Sequence, residues 1–387
     1  MRSTRAAIGV LIAVVLLSGC TRSAPLPSDR PAGPDPPAPA PPGTGTGPVS
    51  PTGASTVLAT GLDVPWSILR LGDSTLLSYR DTGQIMELTP GGDLREAAVI
   101  PGVDPGGEGG LLGLAARNQD EQHWIYAYFT SDNDNRVVRM PLGGSPGNLT
   151  LGGAEVVLEG LAKAGNHNGG RIAFGPDGML YVTVGDAGHA DSAQDPRSLN
   201  GKILRVTPSG DVPQDNPVDG SAVFSLGHRN PQGLAWDADG RLWASEFGQN
   251  TWDELNLIEP GRNYGWPVVE GQAGNPDFVD PAYQWSTSEA SPSGLTVVDD
   301  TLFMAALRGQ RLWGILDGVH VPEGSRGLEG VVTASAYFEG EFGRIRDVAP
   351  GPDGTLWLIT NNTDGRGSPG PDDDRLIEIV LAPFVEG

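Results

Sequence analysis

A short turn followed by an apolar strand recurs along the sequence, and this recurrence constrains the fold more than any other feature. Four turns that contain Asp next to Gly each introduce a strand of mostly apolar residues. Their aspartates, Asp73, Asp177, Asp239 and Asp353, are 104, 62 and 114 residues apart. These spacings fit two, one and two units of about 55 residues, a period that is typical of propellers and solenoids.

We predict an all-β fold, a six-bladed β-propeller of four-stranded antiparallel blades. A body of about 335 residues at this period contains six units. The 57 Gly and 34 Pro supply many turns, and no apolar pattern of helical period persists in the body. Strand-like segments at 56–60 and 376–381 should pair, because this would close the ring and bury two open edges. A pair of β-sandwiches and a solenoid are the alternatives. Weaker strands are expected at 124–129, 136–140, 302–306 and 311–316.

The N-terminus has the form of an export signal. Arg2 and Arg5 precede an apolar run at 6–17 that is too short to span a bilayer as a mature helix. The sequence L-S-G-C that follows resembles a bacterial lipobox and ends at Cys20, the one cysteine of the chain. We therefore expect a signal peptide at 1–19 and a lipid on Cys20. An ordinary signal peptide with an incidental cysteine is the alternative.

The expected location follows from this signal. The protein should be exported and anchored by lipid to the outer face of the bacterial cell membrane, or be periplasmic, with no membrane contact other than the anchor. Residues 20–53 are rich in Pro, Gly, Ala, Ser and Thr, so they should form a disordered tether. The propeller is expected at 54–387, where the absence of further cysteines excludes disulfides.

The charge of the chain excludes one class of partner. The formal net charge is −23, from 25 Lys and Arg against 48 Asp and Glu. A polyanion would be repelled and no basic stripe is present, so nucleic acid is not expected as a partner.

The segment at 166–188 places a histidine and a carboxylate at the two ends of one predicted hairpin. His167 lies in the loop before the first strand, and Asp186 lies in the loop after the second. A neutral imidazole is the usual acceptor for a hydroxyl proton near neutral pH, and a carboxylate can orient it and stabilise the imidazolium. The alternative is a hydrogen-bonded loop histidine beside a turn-capping aspartate.

Four arginines, Arg171, Arg229, Arg344 and Arg346, stand beside strands and glycine-framed loops. Forked guanidinium donors directed into a channel would suit a planar ligand with several carboxylates. Each arginine taken alone is compatible with an ordinary surface or strand-pairing role.

Several motifs in one order resemble the soluble quinoprotein glucose and aldose-sugar dehydrogenases, six-bladed propellers that use pyrroloquinoline quinone (PQQ) and calcium. The resemblance covers nearly all of 58–380. The motifs that carry it are N-H-N-G-G-R (166–171), G-D-A-G (185–188), R-N-P-Q-G-L (229–234), D-E-L-N-L (253–257), N-Y-G-W-P (263–267) and R-I-R-D (344–347).

The resemblance implies a role for each matching residue. The general base would be His167, oriented by Asp186, and Arg229 would stabilise charge that develops on the quinone. The implied cofactor-binding residues are Glu108, Arg229, Asn230, Ala306, Leu307, Arg308, Arg344, Ile345 and Arg346. The implied calcium positions are Glu254 and Tyr264, the latter through its backbone carbonyl, with Gly248 and Gln249 holding a second calcium that bridges the quinone.

The implied reaction is oxidation of the C1 hydroxyl of an aldose to a lactone, with hydride transfer to the quinone. The implied partners are a small-molecule sugar and an electron acceptor that the sequence does not identify. An exported propeller that binds a carbohydrate or a protein without redox turnover is the alternative, and a lactonase-type hydrolase is a third reading.

The chain departs from the family pattern at several positions. Gln249 stands where relatives generally have proline, Arg308 where lysine is frequent, and Glu108 where glutamine is common. A carboxylate at Glu108 would repel a tricarboxylate cofactor unless a proton, a cation or an arginine offsets it. The segment 268–285 offers only Tyr283 as a phenol. The acidic run at 365–374 is expected to be a solvated loop, with a cation site as the alternative.

Overall fold

The structure is a computed structural model that describes residues 47–119, 122–318 and 332–385. The predicted signal peptide, Cys20 and most of the predicted tether lie outside the described residues. Within these ranges, no helix has the length and hydropathy needed to cross a bilayer.

Six antiparallel sheets follow one another along the chain, which confirms the prediction of a six-bladed propeller. The first strands of neighbouring blades contact each other in a closed ring. Strand β1 spans Val49–Ala59 and belongs to the last blade. Blades 1 and 2 consist of β2 (Pro65–Leu71), β3 (Ser74–Tyr79), β4 (Gln84–Leu88), β5 (Leu94–Val99), β6 (Leu111–Gln119), β7 (Gln122–Thr130), β8 (Asn135–Gly143), the short β9 (Thr150–Leu151) and β10 (Glu155–Leu161). Blades 3 and 4 consist of β11 (Ile172–Phe174), β12 (Leu180–Val184), β13 (Lys202–Val206), β14 (Val223–Leu226), β15 (Pro231–Trp236), β16 (Leu242–Glu246), β17 (Trp252–Ile258) and β18 (Tyr283–Ser286). Blades 5 and 6 consist of β19 (Pro292–Val298), β20 (Thr301–Ala306), β21 (Arg311–Leu316), β22 (Thr333–Tyr337), β23 (Ile345–Pro350), β24 (Leu356–Thr360) and β25 (Leu376–Pro383), and 3₁₀ turns lie at Ala190–Ala193 and Pro352–Gly354.

The four aspartate turns predicted from the sequence all occupy one position in the architecture. They connect the first and second strands of blades 1, 3, 4 and 6, so the inferred spacing of two, one and two units is confirmed. In blade 3, Asp177 Oδ1 accepts a hydrogen bond from the amide of Met179 at 3.0 Å, which closes the turn locally. The four weaker strands are also present, within β7, β8, β20 and β21.

The N-terminal strand closes the ring as predicted. β1 pairs antiparallel with β25, from Val49 opposite Pro383 to Ala59 opposite Leu376. The strand begins at Val49, within the segment that composition assigned to the tether. Main-chain pairing does not require apolar side chains, and Thr301 Oγ1 adds two bonds here, accepting from the Val49 amide at 2.9 Å and donating to the Val49 carbonyl at 2.8 Å.

The two ends of each blade can be distinguished by register. Arg344 and Arg346, at the start of β23, line a polar cavity that is rich in arginine. Pairing through β24 and β25 puts Ala59 at this end of the blade and Val49 at the opposite end. The chain therefore enters the propeller at the end remote from the cavity.

Apolar side chains fill the space between neighbouring blades. One buried cluster joins Leu112 and Tyr126 of blade 2 to Ile172 and Leu180 of blade 3. Such inter-blade layers remove apolar area from water at every blade interface, and this burial stabilises the ring.

Candidate active site

His167 and Asp186 are in direct contact at the ends of the hairpin formed by β11 and β12. His167 Nδ1 lies 2.7 Å from Asp186 Oδ1. A carboxylate accepts hydrogen bonds, so the bond places the proton on Nδ1 and leaves Nε2 as the basic nitrogen of the neutral ring. The His167 side chain is 12% exposed, whereas that of Asp186 is buried.

Asp186 is held by two further donors. The indole Nε1 of Trp266 donates to Oδ2 at 2.8 Å, and the amide of Gly188 donates to Oδ1 at 2.8 Å. Burial acts to raise the pKa of Asp186, but the bond from His167 and these two donors outweigh it and leave the pKa below its ordinary value. Asp186 is therefore an ionised, fixed partner for the imidazole.

The backbone of His167 is held in a left-handed conformation with φ of 56°. Its amide donates to Glu108 Oε2 at 3.0 Å, and its carbonyl accepts from the amide of Ala187 at 3.1 Å. Gly185 is required for this approach, because a Cβ at that position would lie 2.0 Å from the His167 carbonyl oxygen. The loop geometry therefore depends on Glu108 as well as on the hairpin.

A cavity of about 310 Å³ opens beside this loop at the starts of the innermost strands. Guanidinium groups dominate its polar lining, and Trp66 and Phe247 are its aromatic residues. The residues that line it are Trp66, Arg80, Glu108, Gln232, Phe247, Ser291, Leu307, Arg308, Arg344, Arg346, Asp364 and Arg366. Five positive charges thus face two carboxylates.

Of the two arginines of the R-I-R-D motif, one is hydrogen-bonded to a carboxylate and the other is not. Arg344 Nη2 donates to Asp364 Oδ2 at 2.8 Å. Arg346 donates to the neutral oxygens of Asn361 and Gln232, and the nearest oxygen of Asp364 lies 4.0 Å away. Burial and the neighbouring Arg344 lower the pKa of Arg346 to about 9. An anion in the cavity would relieve this repulsion.

Arg229 and Asn230 lie next to the cavity and do not line it. Arg229 is over the ring of Trp266 at 5.5 Å, and its Nη1 donates to the carbonyl of Phe247 at 3.3 Å. Its buried Nε has no hydrogen-bond partner among the described residues. Asn230 Oδ1 accepts from the amide of Gly169 at 3.0 Å, which ties blade 4 to the histidine loop.

Arg171 is not directed to a ligand, contrary to the sequence interpretation. Its Nη1 and Nη2 bind Asp347 at 3.0 and 2.9 Å, and its Nε donates to the carbonyl of Gln232. Both side chains are buried, and Arg171 packs over the ring of Trp66 at 4.4 Å. The pair is a structural cross-link among the inner strands.

The remaining predicted cofactor residues divide into two groups. Leu307 and Arg308 line the cavity, and Arg308 is exposed there. Ala306 and Ile345 are fully buried in β20 and β23 and are absent from the cavity lining. Their side chains are packed behind the residues that line the cavity. Only their backbone could therefore contact a ligand in it.

Glu254 lies in a buried cluster of oxygen atoms. Its Oε1 accepts from the amide of Gly271 at 2.8 Å and its Oε2 from Asn256 Nδ2 at 3.1 Å. Burial and the nearby Glu246 raise the pKa of Glu254. The buried Oδ1 of Asn256 has no partner among the described residues. Two facing carboxylates beside an unpartnered amide oxygen have the donor chemistry that calcium prefers.

Tyr264 is connected to this cluster through His228. The two rings stack with centroids 4.9 Å apart, and His228 Nδ1 lies 2.7 Å from Glu246 Oε2. In the ranges that the structure describes, no group of three or more His, Cys, Asp or Glu side chains is arranged to hold a metal ion. A cation here would therefore need backbone or amide oxygens in addition to carboxylates.

The turn at Gly248 and Gln249 is organised by two carboxylates. Asp253 Oδ1 accepts from the Gly248 amide at 2.8 Å, and burial raises the pKa of Asp253 to about 6. Glu270 Oε1 accepts from four successive amides, beginning with Gln249 at 2.7 Å. Glu270 thus fixes this turn.

The acidic run at 365–374 is only partly solvated, which corrects the sequence interpretation. Arg366 reaches the cavity mouth and its Nη1 donates to Glu108 Oε1 at 2.9 Å. Asp374 is fully buried and accepts from Thr360 Oγ1 at 3.1 Å. The loop is therefore attached to both the mouth and the last blade.

Sequence reasoning missed several residues that shape the site. Trp266 supports both Asp186 and Arg229, and the amide of Arg229 is bound by Glu246. Trp266 stands in the N-Y-G-W-P motif, so that motif was a usable signal. No local pattern pointed to Glu270 or Arg366, whose contacts come from distant loops.

Comparison with known proteins finds one matching family and several similar sugar dehydrogenases. Residues 62–373 match the profile of the Glucose / Sorbosone dehydrogenase family. The chain is 48% identical to the PQQ-bound form of an aldose sugar dehydrogenase from Streptomyces coelicolor, with a TM-score of 0.78 over 89% of this chain and 100% of that one. A structure from Thermus thermophilus, assigned as a glucose dehydrogenase oxidoreductase, is 42% identical with a TM-score of 0.74 over 84% of this chain and 99% of that one. An aldose sugar dehydrogenase of Escherichia coli strain K12 is 29% identical over 346 residues, which cover 80% of this chain and 90% of that protein.

Proposed function

Because this chain belongs to the glucose/sorbosone dehydrogenase family, we propose that it is a PQQ-dependent sugar dehydrogenase that oxidises an aldose at C1 to the lactone. The observation that carries the proposal is the position of His167, which is paired with Asp186 and bonded through its amide to the wall of an arginine-lined cavity. A base beside an anion-binding cavity is the arrangement that this reaction requires.

The residues present fit PQQ, a planar tricarboxylate. Arg308, Arg344 and Arg346 line the cavity, and Arg346 has no carboxylate in hydrogen-bond contact among the described residues. Arg229 carries a buried, unpartnered Nε nearby. Guanidinium groups without carboxylate partners are costly to bury unless an anion binds them. The ring of Phe247 at the cavity wall offers an apolar surface to a planar ligand.

In the proposed reaction, His167 Nε2 takes the proton of the C1 hydroxyl. Asp186 keeps the other ring nitrogen protonated and stabilises the imidazolium that results, while Trp266 keeps Asp186 in place. Bound PQQ supplies the hydride acceptor. Arg229, whose buried Nε has no partner among the described residues, would offer a hydrogen-bond donor to the bound cofactor.

The residues also fit calcium near Glu254. The carboxylates of Glu254 and Glu246 and the amide oxygen of Asn256 are hard donors, and the backbone carbonyl of Tyr264 is the further ligand that we propose. A second ion beside the cofactor would be held by backbone at Gly248 and Gln249, the turn that Asp253 and Glu270 fix.

Reconstitution tests the proposed function. We expect the purified chain, supplied with PQQ and calcium, to bleach a redox dye when an aldose is added, because bound PQQ would supply the oxidant for the sugar and the dye would take up the two electrons. Omission of either PQQ or the sugar should abolish bleaching. A thermal shift on PQQ addition without any bleaching would favour a non-redox binding protein.

Calcium dependence is checked in the same assay. A chelator should remove the activity, and Glu254→Gln should raise the calcium concentration needed to restore it, because one anionic ligand is lost. Glu259→Gln is a suitable control, since Glu259 is exposed and follows the far end of β17. An unchanged calcium requirement in Glu254→Gln would contradict the assignment.

We further propose that the protein is exported and attached to the outer face of the cell membrane by a lipid on Cys20. The apolar run and the L-S-G-C sequence support this proposal. Cys20→Ser should shift the protein from the membrane fraction to the soluble exported fraction, because a serine cannot form the thioether to lipid. Equal membrane association of the two forms would contradict it.

A further inference from the structure

A pair of opposite charges bridges the cavity mouth. Arg366 belongs to the loop between β24 and β25, and Glu108 to the loop before β6. Arg366 Nη1 lies 2.9 Å from Glu108 Oε1, although the residues are 258 positions apart. The Arg366 side chain is 56% exposed and that of Glu108 is 20% exposed. The contact therefore links blade 6 to blade 2 at the surface of the cavity.

Glu108 has a second contact, which joins it to the loop of His167. Its other oxygen, Oε2, accepts from the amide of His167 at 3.0 Å. The His167 backbone is in the left-handed region, and this bond helps to hold it. Glu108 is thus shared between the loop of the base and the mouth of the cavity.

The carboxylate of Glu108 also faces the space in which an anionic cofactor would bind. Like charges a few ångströms apart, at an effective dielectric constant of roughly 20, repel each other enough to change binding about tenfold or more. Arg308 and Arg344 line the same cavity, but the first has no ion pair among the described residues and the second binds Asp364. Of the cavity arginines, Arg366 is the one in an ion pair with Glu108.

We propose that Arg366 is a positioning residue of the cofactor cavity, which neutralises Glu108 so that this carboxylate can hold the His167 loop without repelling an anionic cofactor. The inference rests on the proposed function and adds to it. Arg366 acts through Glu108, so its importance should depend on whether residue 108 carries a charge.

A double-mutant cycle tests this dependence. Calorimetric titration of the metal-loaded, PQQ-free chain with PQQ should give about tenfold weaker binding for Arg366→Gln than for the wild type. Glu108→Gln should bind PQQ at least as tightly as the wild type, because the amide still accepts the His167 bond. The double variant should recover most of the affinity that Arg366→Gln lost.

Arg262→Gln is the matched control, because Arg262 is 55% exposed and pairs with Glu259 away from the cavity. Its PQQ affinity should equal that of the wild type. Equal losses from Arg366→Gln with and without Glu108→Gln would overturn the inference, since Arg366 would then bind PQQ directly. Wild-type affinity in Arg366→Gln would overturn it too, while PQQ-dependent activity of the wild type would leave the proposed function standing. Failure of the wild type to bind PQQ would overturn both.

Discussion

Replacement of His167 with alanine should lower the rate of sugar oxidation by about 10²- to 10⁴-fold, the usual contribution of a general base. The imidazole is bonded to Asp186 through Nδ1, which leaves Nε2 as the basic nitrogen. The substitution therefore removes the proposed proton acceptor. PQQ affinity should change little, because the arginines that line the cavity are untouched. Turnover by dye reduction and PQQ binding by titration measure the two effects separately.

His123→Ala provides the control for this experiment. His123 lies at the start of β7, bonded to Asn118, at the opposite end of blade 2 from the cavity. Its replacement should leave turnover at the wild-type level. Undiminished activity in His167→Ala would count decisively against the proposed base, whereas a loss of PQQ binding would indicate that the loop had collapsed.

Replacement of Asp347 with alanine should lower the free energy of unfolding by about 3–5 kcal/mol, the typical cost of leaving a buried charge unpaired. Asp347 is 3% exposed and binds both terminal nitrogens of Arg171, as well as the amide of Ile68 at 2.9 Å. These contacts join blades 6, 3 and 1 near the axis. The midpoint of urea unfolding, with the slope of the transition, measures the loss.

Removal of both charges shows how much of the lost free energy of unfolding comes from leaving Arg171 unpaired and how much from losing the ion pair itself. The double variant Arg171→Met with Asp347→Leu should regain much of the stability, because buried ion pairs can often be replaced by apolar groups of similar volume. Asp219→Ala, at an exposed position, should change the free energy of unfolding by less than about 0.5 kcal/mol. A double variant as unstable as Asp347→Ala would show that volume or hydrogen bonds, rather than charge, dominate.

The architecture was predictable because its signals are local and repeated. The turn at Asp177 is closed by a bond to Met179, two residues along the chain, and equivalent turns recur every one or two periods. Antiparallel strands joined by short turns pair with their sequence neighbours, so the blades follow from the turns. The closing strand was predictable for a related reason, since an unclosed ring leaves two edges exposed.

The contact between His167 and Asp186 was predictable because one hairpin brings them together. The environment of each arginine was not. Arg171 looked like the other candidates in the sequence, but its neutralising partner, Asp347, is 176 residues away. Arg366 lay in an acidic, glycine-rich loop with no pattern that indicated contact with Glu108. The sequence shows where the arginines are. Whether an arginine forms an ion pair with a carboxylate that is distant in sequence depends on the tertiary structure of the propeller.

The closure by β1 has a consequence for the order of folding. Among the described strands β1 is synthesised first and its partner, β25, last, so this pairing can form only after the chain of the intervening blades has been made. The composition of β1 suits this delay. Six successive residues, from Thr52 to Val57, are exposed, and Pro51 with a break in register interrupts the pairing of β1 with β25. A strand with these features is a poor template for pairing with a neighbouring chain, and its pairing with β25 completes the last blade.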